Sequence, residues 1–162
     1  MPIYMKLDGI EGQVTSKGFE KQVQLHSMQL GTNRHVATST SHSASRETSA
    51  PNVSEIVITK DQDAASIKLF DASLHGEGKK CILSVTKTSQ DGKSEQAYLI
   101  VTLENTLVSS YSMSGHGDGS QRPMESLSLN FTKIELKYLE SDDKNKAAKP
   151  QIATWNLAAG IK

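Results

Sequence analysis

The stretch from residue 98 to residue 138 constrains the fold most, because it contains three extended runs at 98–103, 106–113 and 126–138. The first run is apolar on both faces, which is typical of a strand that is covered on both sides. The third run alternates apolar and polar residues over most of its length. Runs of this kind predict a core built from β-strands.

The apolar positions change phase within the third run. Leu127 and Leu129 lie at odd positions, whereas Ile134 and Leu136 lie at even positions. Side chains alternate with a period of two along a strand, so one extra residue must be absorbed or the strand must exchange one buried face for another. The pattern predicts a β-bulge near residues 132–133, where the strand bends around the corner of a barrel or a sandwich.

Other strands are predicted from the same alternation. A phase change between Leu25 and Met28 predicts a second bulge near residues 26–27. The runs at 80–88 and 95–103 predict a hairpin that closes around an Asp-Gly turn.

One amphipathic helix is predicted after residue 60. Asp61 or Asp63 can cap its N-terminus, and Gly76 provides a C-terminal stop. A single short helix among many strands is expected to cover one end or side of a barrel. Its apolar residues recur at i, i+3 and i+7, at Ile67, Phe70 and Leu74.

Length and charge limit the classes of protein that this chain can represent. The 162 residues fit one domain, 1–162, and 18 basic against 18 acidic residues give a formal net charge of zero. A balanced charge weighs against binding to nucleic acid, and it permits self-association. Because hydrophobic residues make up 36% and aromatic residues 5%, we expect either that part of the chain is loop or that part of its burial comes from neighbouring subunits.

Neither a secretory signal nor a membrane-spanning run is visible in the sequence. We therefore expect a protein that is made in the cytoplasm, does not insert into a membrane, and leaves the cell only through a dedicated machine.

The sequence provides no motif for catalysis, for a cofactor or for a metal. The five histidines lack zinc-binding spacing, and neither a Gly-x-Ser-x-Gly elbow nor a phosphate-binding loop is present. Cys81 alternates with Leu83 and Val85 and is expected to be a buried, unreactive thiol. We predict a protein that is not an enzyme.

The segment 31–51 differs in composition from the rest of the chain, and its serine-rich part, 38–49, has almost nothing that could enter a core. Loops of this length inside compact domains are usually either functional or disordered. The segment is either a surface loop or an arm that becomes ordered against a partner.

The order of several segments is more specific than any one motif. Segments 3–12, 27–31, 103–111, 125–131 and 154–157 resemble, in that order, the hemolysin-coregulated protein (Hcp) family of bacterial type VI secretion. The chain departs from the family where members carry tryptophan and serine in place of residues 28–30, and at Thr154, where glycine is usual.

The resemblance implies a mainly β fold, a β-barrel or two-sheet sandwich with one short helix, and six copies closed into a ring. It also implies that rings stack into a tube, which is expelled by the type VI sheath, spike and baseplate proteins and which carries small effector proteins in its lumen. Two alternatives stay open: a monomeric β-barrel binding module, and a specialised Hcp protein that carries its own toxin.

Two sets of residues follow as site predictions from the resemblance. Ser27 and Gln29, on the polar face of the second strand, are predicted to face the lumen. The arm 31–51 is predicted to reach an adjacent subunit or ring through Thr38, Thr40, Ser43, Ser45, Arg46 and Glu47.

Overall fold

The computed structural model describes residues 1–37, 47–88, 94–117, 119, 121–139 and 149–161. These residues form thirteen β-strands and one α-helix. The elements are β1 (Ile3–Leu7), β2 (Val23–Leu25), β3 (Ser27–Gln29), β4 (Thr32–Asn33), β5 (Val36–Ala37), β6 (Glu47–Thr48), β7 (Asn52–Val53), β8 (Ile56–Asp61), α1 (Ser66–His75), β9 (Lys79–Thr88), β10 (Glu95–Ser114), β11 (Met124–Asn130), β12 (Lys133–Tyr138) and β13 (Gln151–Asn156). No helix among the described residues has the length and apolar character that a membrane crossing requires.

Two antiparallel sheets share the long strand β10. Sheet A has the order β2-β1-β9-β10-β12-β13, and sheet B has the order β10-β11-β8-β3. The change falls near Asn105, whose φ is 51°, and the pairing of β10 with β9 shifts register between Leu103 and Thr106. The runs predicted as separate strands on either side of residues 104–105 are therefore one strand that bends there.

The core lies between the two sheets. Sheet A contributes an inward face from five strands, and sheet B contributes the alternate residues of β8 and β11. In β10, Val101 and Leu103 are buried, whereas Ile100 and Thr102 on the other face are half-buried, so the two-sided cover predicted for this run is only partial. The buried residues include Met5, Leu7, Cys81, Leu83, Val101, Leu103 and Ile134 from sheet A and Ile56, Ile58, Leu127 and Leu129 from sheet B.

Both predicted phase changes mark places where the chain passes from one sheet to the other. β2 pairs with β1 in sheet A, and β3 pairs with β8 in sheet B after the single residue His26. β11 pairs in sheet B, and β12 pairs in sheet A after Phe131 and Thr132. The positions were predicted correctly, but each strand ends and a new one begins instead of continuing through a bulge.

The strands that the structure describes do not close into a complete hydrogen-bonded barrel. Among them β2 pairs only with β1, and β3 pairs only with β8, so the two ends of the strand order are joined through the backbone at His26. The fold is a mainly β, two-sheet structure with one helix. The predicted hairpin is confirmed by the pairing of β9 with β10, and its turn at 89–93 lies outside the described residues.

The apolar residues that indicated an amphipathic helix do not face the core. Ile67, Phe70 and Leu74 are 74%, 47% and 60% exposed, and the buried residues of the helix are Ser66 and Leu69. The helix turns Ser66 inward because its hydroxyl is a partner of a buried lysine, described below.

The predicted ends of α1 lie near the observed ends. The N-cap residue is Ala65, and Asp63 accepts a hydrogen bond from the Ala65 N–H, so this aspartate supports the first turn without being the cap residue. Gly76 follows the last helical residue, as predicted.

Candidate functional site

The outward side of sheet B presents a surface of small neutral side chains. Pairing places Ser27, Thr59, Ser126 and Ser112 in one row across the four strands. The next row contains Gln29, Val57, Ser128 and Ser110. We call these eight positions the hydroxyl face.

The alternation of strand side chains produces this surface. In β8 and β11 the residues that alternate with the hydroxyl face are Ile56, Ile58, Leu127 and Leu129, all fully buried in the core. One side of sheet B is therefore apolar and packed, whereas the other is polar. Six of its eight residues are serine or threonine, and none is charged.

Several hydroxyl groups have partners within the sheet. Ser27 Oγ and Thr59 Oγ1 are 2.6 Å apart, and Ser112 donates to the carbonyl oxygen of Ser126 at 3.4 Å. These short side chains form a hydrated surface without charged groups. Such a surface offers weak, non-specific contacts and no strong electrostatic attraction to a ligand.

Charged groups lie only at the two ends of the hydroxyl face. At one end Glu55 accepts hydrogen bonds from Ser109 at 2.8 Å and from Asn130 at 3.0 Å. At the other end Asp61 lies 2.9 Å from His26, and both side chains are about half exposed. The surface thus has a neutral centre between two acidic rims.

A fully buried ion pair lies on the core side of the same sheet. Lys60 and Glu125 are 0% exposed, and Lys60 Nζ lies 2.7 Å from Glu125 Oε2. The ammonium also donates to the Asp61 carbonyl at 2.7 Å and to Ser66 Oγ at 3.2 Å, and it lies 3.0 Å from Asp63 Oδ1.

This network fixes the helix to sheet B. Lys60 belongs to β8, Glu125 to β11, and Ser66 to the first turn of α1. Tyr111 of β10 donates its hydroxyl proton to Glu125 Oε1 at 2.9 Å. Burial raises the pKa of Tyr111 to about 12, and the adjacent Glu125 adds to the shift through its hydrogen bond and its charge.

Sequence reasoning missed this network, although a signal for it was present. Lys60 continues the inward alternation of Ile56 and Ile58, and Glu125 precedes Leu127 and Leu129 in the same phase. Two opposite charges at inward positions of two strands indicate a buried pair, because an unpaired buried charge is too costly to retain.

The structure places the two predicted lumen residues together. Ser27 and Gln29 are exposed, lie in β3, and both belong to the hydroxyl face. Of the predicted arm residues, Thr38, Thr40, Ser43, Ser45 and Arg46 lie outside the described residues. Glu47 lies in β6 opposite Ala37, and its side chain is outside the described part.

Metal-ligating and thiol side chains are separated or buried in the part of the chain that the structure describes. Within the described ranges, no three His, Cys, Asp or Glu side chains come together to hold a metal ion. Cys81 is fully buried, as predicted, and its burial raises the pKa of the thiol to about 12.

Comparison with known proteins places the chain in one family. A family model described as "Type VI secretion system effector, Hcp" matches residues 4–138. Protein hcp1 of Pseudomonas aeruginosa is 31% identical over 112 residues, which are 68% of this chain and 67% of that protein.

Solved structures share the fold over nearly the whole chain. The structure of a type six secretion system protein is 27% identical, with a TM-score of 0.87 over 98% of this chain and 97% of the other. Hcp1 from Salmonella typhimurium is 22% identical, with a TM-score of 0.75 over 99% and 97%. The chain therefore belongs to the Hcp family of type VI secretion system proteins.

Proposed function

We propose that this chain is the structural subunit of a type VI secretion tube, in which rings of six copies stack and carry small effector proteins. The observation that carries the proposal is the form of sheet B. Its hydroxyl face lies between two strand edges, β3 and residues 107–114 of β10, and in the described part of the chain each of these pairs on one side only.

Unpaired edges supply a mechanism for ring formation. An edge strand exposes a row of N–H and C=O groups that can pair with another chain. The two edges of sheet B differ from each other, so pairing of β3 in one copy with β10 in the next is heterologous and generates a ring where the rotation closes. Six copies would join their four-stranded sheets into one continuous barrel.

The spacing of strands gives the size of that barrel. Twenty-four strands at a spacing of about 4.8 Å give a circumference of about 115 Å and a diameter of about 37 Å, before any widening by strand tilt. A folded domain of about 100 residues has a radius of gyration of about 13 Å, so the size of a small effector is comparable to the diameter of this barrel. With the hydroxyl face inward, the channel wall would be neutral and hydrated.

The arm would connect neighbours. β4 pairs with β7 and β5 pairs with β6, which makes residues 32–37 and 47–53 the two sides of a two-stranded ribbon. The described side chains at Thr32, Asn33 and His35 are exposed. A two-stranded ribbon is marginally stable alone in water. We propose that it docks on an adjacent subunit or ring through the predicted residues between Thr38 and Glu47.

Export would follow assembly. The tube would be built in the bacterial cytoplasm with the sheath, spike and baseplate proteins, and would be expelled with them. A subunit expelled in this way needs no cleaved signal peptide. The family membership supports this route.

Light scattering behind a sizing column tests the ring. The chain has a mass of 17.6 kDa, so six copies should give a particle of about 106 kDa across a concentration series. A mass that stays at 17.6 kDa up to high concentration would contradict the proposal and favour a monomeric binding module.

A substitution at Gln29 tests the assignment of the channel surface. Gln29→Trp places a large ring on the hydroxyl face and should reduce effector retention while the hexamer mass is unchanged. Lys21→Trp is the control, because the Lys21 side chain is 72% exposed and lies outside sheet B. Normal retention by Gln29→Trp would contradict the assignment.

A further inference from the structure

Three large apolar side chains of α1 point away from the core. Ile67, Phe70 and Leu74 are 74%, 47% and 60% exposed, and their spacing of three and four residues puts them on one side of the helix. A contiguous exposed apolar patch in a soluble domain usually marks an interaction site. The helix surface becomes polar next to this side, where Asp71 Oδ1 lies 3.4 Å from His75 Nδ1.

The apolar side of α1 continues onto the unpaired edge of sheet B. The rings of Phe70 and Tyr111 are in edge contact, with centroids 5.5 Å apart. Leu74, Leu107 and Ser109 line one open cavity of about 540 Å³. Leu107 is itself 38% exposed. We call Ile67, Phe70, Leu74 and Leu107 the helix patch.

A second copy bound at that edge would bring matching side chains. Along β3, Ser27 and Gln29 point to the hydroxyl face, so Met28 points to the other side of the sheet, as does Leu30 beyond the strand end. Met28 and Leu30 are only partly buried in their own chain. If β3 of one copy pairs with β10 of the next, both residues come to the side of the sheet on which the helix lies.

We infer that the helix patch is covered by the next copy of this chain in the ring, on the side of its β3 that carries Met28 and Leu30. Pairing of β3 with β10 then aligns the sheets of the two copies. The apolar contact on the helix side of the sheet buries additional apolar surface, which strand pairing alone does not bury. This inference rests on the proposed ring and identifies the second surface that holds the ring together.

The test compares variants of one helix by mass in solution. Ile67→Ser/Leu74→Ser removes the apolar surface without adding charge, and Ile67→Glu/Leu74→Glu changes the net charge by two. Both residues are exposed, so each variant should keep the far-ultraviolet circular dichroism of the wild type. Lys68→Glu is the matched control, because it changes the charge of the same helix by two while the patch stays intact.

We expect the midpoint concentration for assembly to rise roughly tenfold or more in the serine variant, and further in the glutamate variant. Lys68→Glu should assemble like the wild type. If the midpoint concentrations of both patch variants lie within about twofold of the wild-type value, the inference is overturned. The helix patch would then be available to bind another protein, such as a sheath subunit. A wild-type chain that never assembles would instead remove the ring proposal, so the two failures can be told apart.

Discussion

Removal of the Lys60 ammonium should destabilise the fold more than removal of the Glu125 charge. Lys60 has four partners, and it keeps the Asp61 carbonyl, Asp63 and Ser66 when Glu125 becomes glutamine. Glu125 has two, and it keeps only Tyr111 at 2.9 Å when Lys60 becomes methionine. The two single variants therefore leave unequal amounts of buried charge unpaired.

The magnitudes follow from this difference. Lys60→Met leaves a carboxylate that is 0% exposed with one donor, and such a broken buried pair costs about 3–5 kcal/mol. Glu125→Gln keeps an acceptor for Tyr111 and should cost about 1–3 kcal/mol. The double variant Lys60→Met/Glu125→Gln removes both charges, so its free energy of unfolding should lie above that of Lys60→Met alone.

Urea unfolding, followed by circular dichroism and by the fluorescence of the single tryptophan Trp155, measures these changes. The protein concentration must be held constant, because assembly adds to the apparent stability. Lys21→Met is the control: its pair with Glu11 is 3.3 Å long and both side chains are more than half exposed, so the change should stay below about 1 kcal/mol. The reasoning is refuted if Lys60→Met costs no more than Glu125→Gln or no more than the control.

Further predictions concern the thiol, the bend in β10 and the arm. Because burial raises the pKa of Cys81 from 9.0 to about 12, the native thiol should resist alkylation near pH 9 and react at the rate of unfolding, whereas fast labelling without urea would contradict the burial. The folded state holds this proton more tightly than the unfolded state, so its contribution to stability is complete below pH 9 and is lost as the pH rises toward 12, a trend that Cys81→Ala should weaken. Asn105 has a φ of 51°, so Asn105→Val should lower the free energy of unfolding by about 1–2 kcal/mol while Asn105→Gly changes it little, and equal effects would show that the backbone conformation is not the cause. Deletion of residues 38–49 should leave the unfolding midpoint of the monomer unchanged and weaken ring stacking seen by electron microscopy, and unchanged stacking would contradict the proposed arm.

The sequence predicted the strands well because local alternation reports which face of a strand is buried. The phase changes near His26 and Phe131 were visible for that reason. Alternation does not identify the neighbouring strand with which a strand pairs. A place where the chain leaves one sheet and enters the other could therefore not be distinguished from a β-bulge. The same limit applies at Asn105, where one strand bends and serves both sheets.

The larger apolar side of α1 lies away from the core, although the helix itself was predicted. Large apolar residues at helical spacing normally face the core, and Ile67, Phe70 and Leu74 have that spacing. Here the inward side is chosen by Ser66, which bonds to Lys60, and by Leu69. A helix whose larger apolar side faces outward is expected where another subunit completes the packing, and the sequence of one chain does not show that subunit.

Ser27 and Gln29 lie on one surface of sheet B, but the extent of that surface was not predicted, and its position in a channel stays a prediction. Ser27 and Gln29 share the hydroxyl face with residues from β8, β10 and β11, which are far apart in the sequence. Only the register of the four strands brings them together.

A three-dimensional reconstruction of the assembled protein by electron microscopy tests the central claim most directly. We predict a six-fold ring whose channel is walled by sheet B, with Gln29 and Ser110 facing the channel and β3 of each copy beside β10 of the next. A ring with the hydroxyl face on its outer surface, or a particle with no channel, would contradict the account.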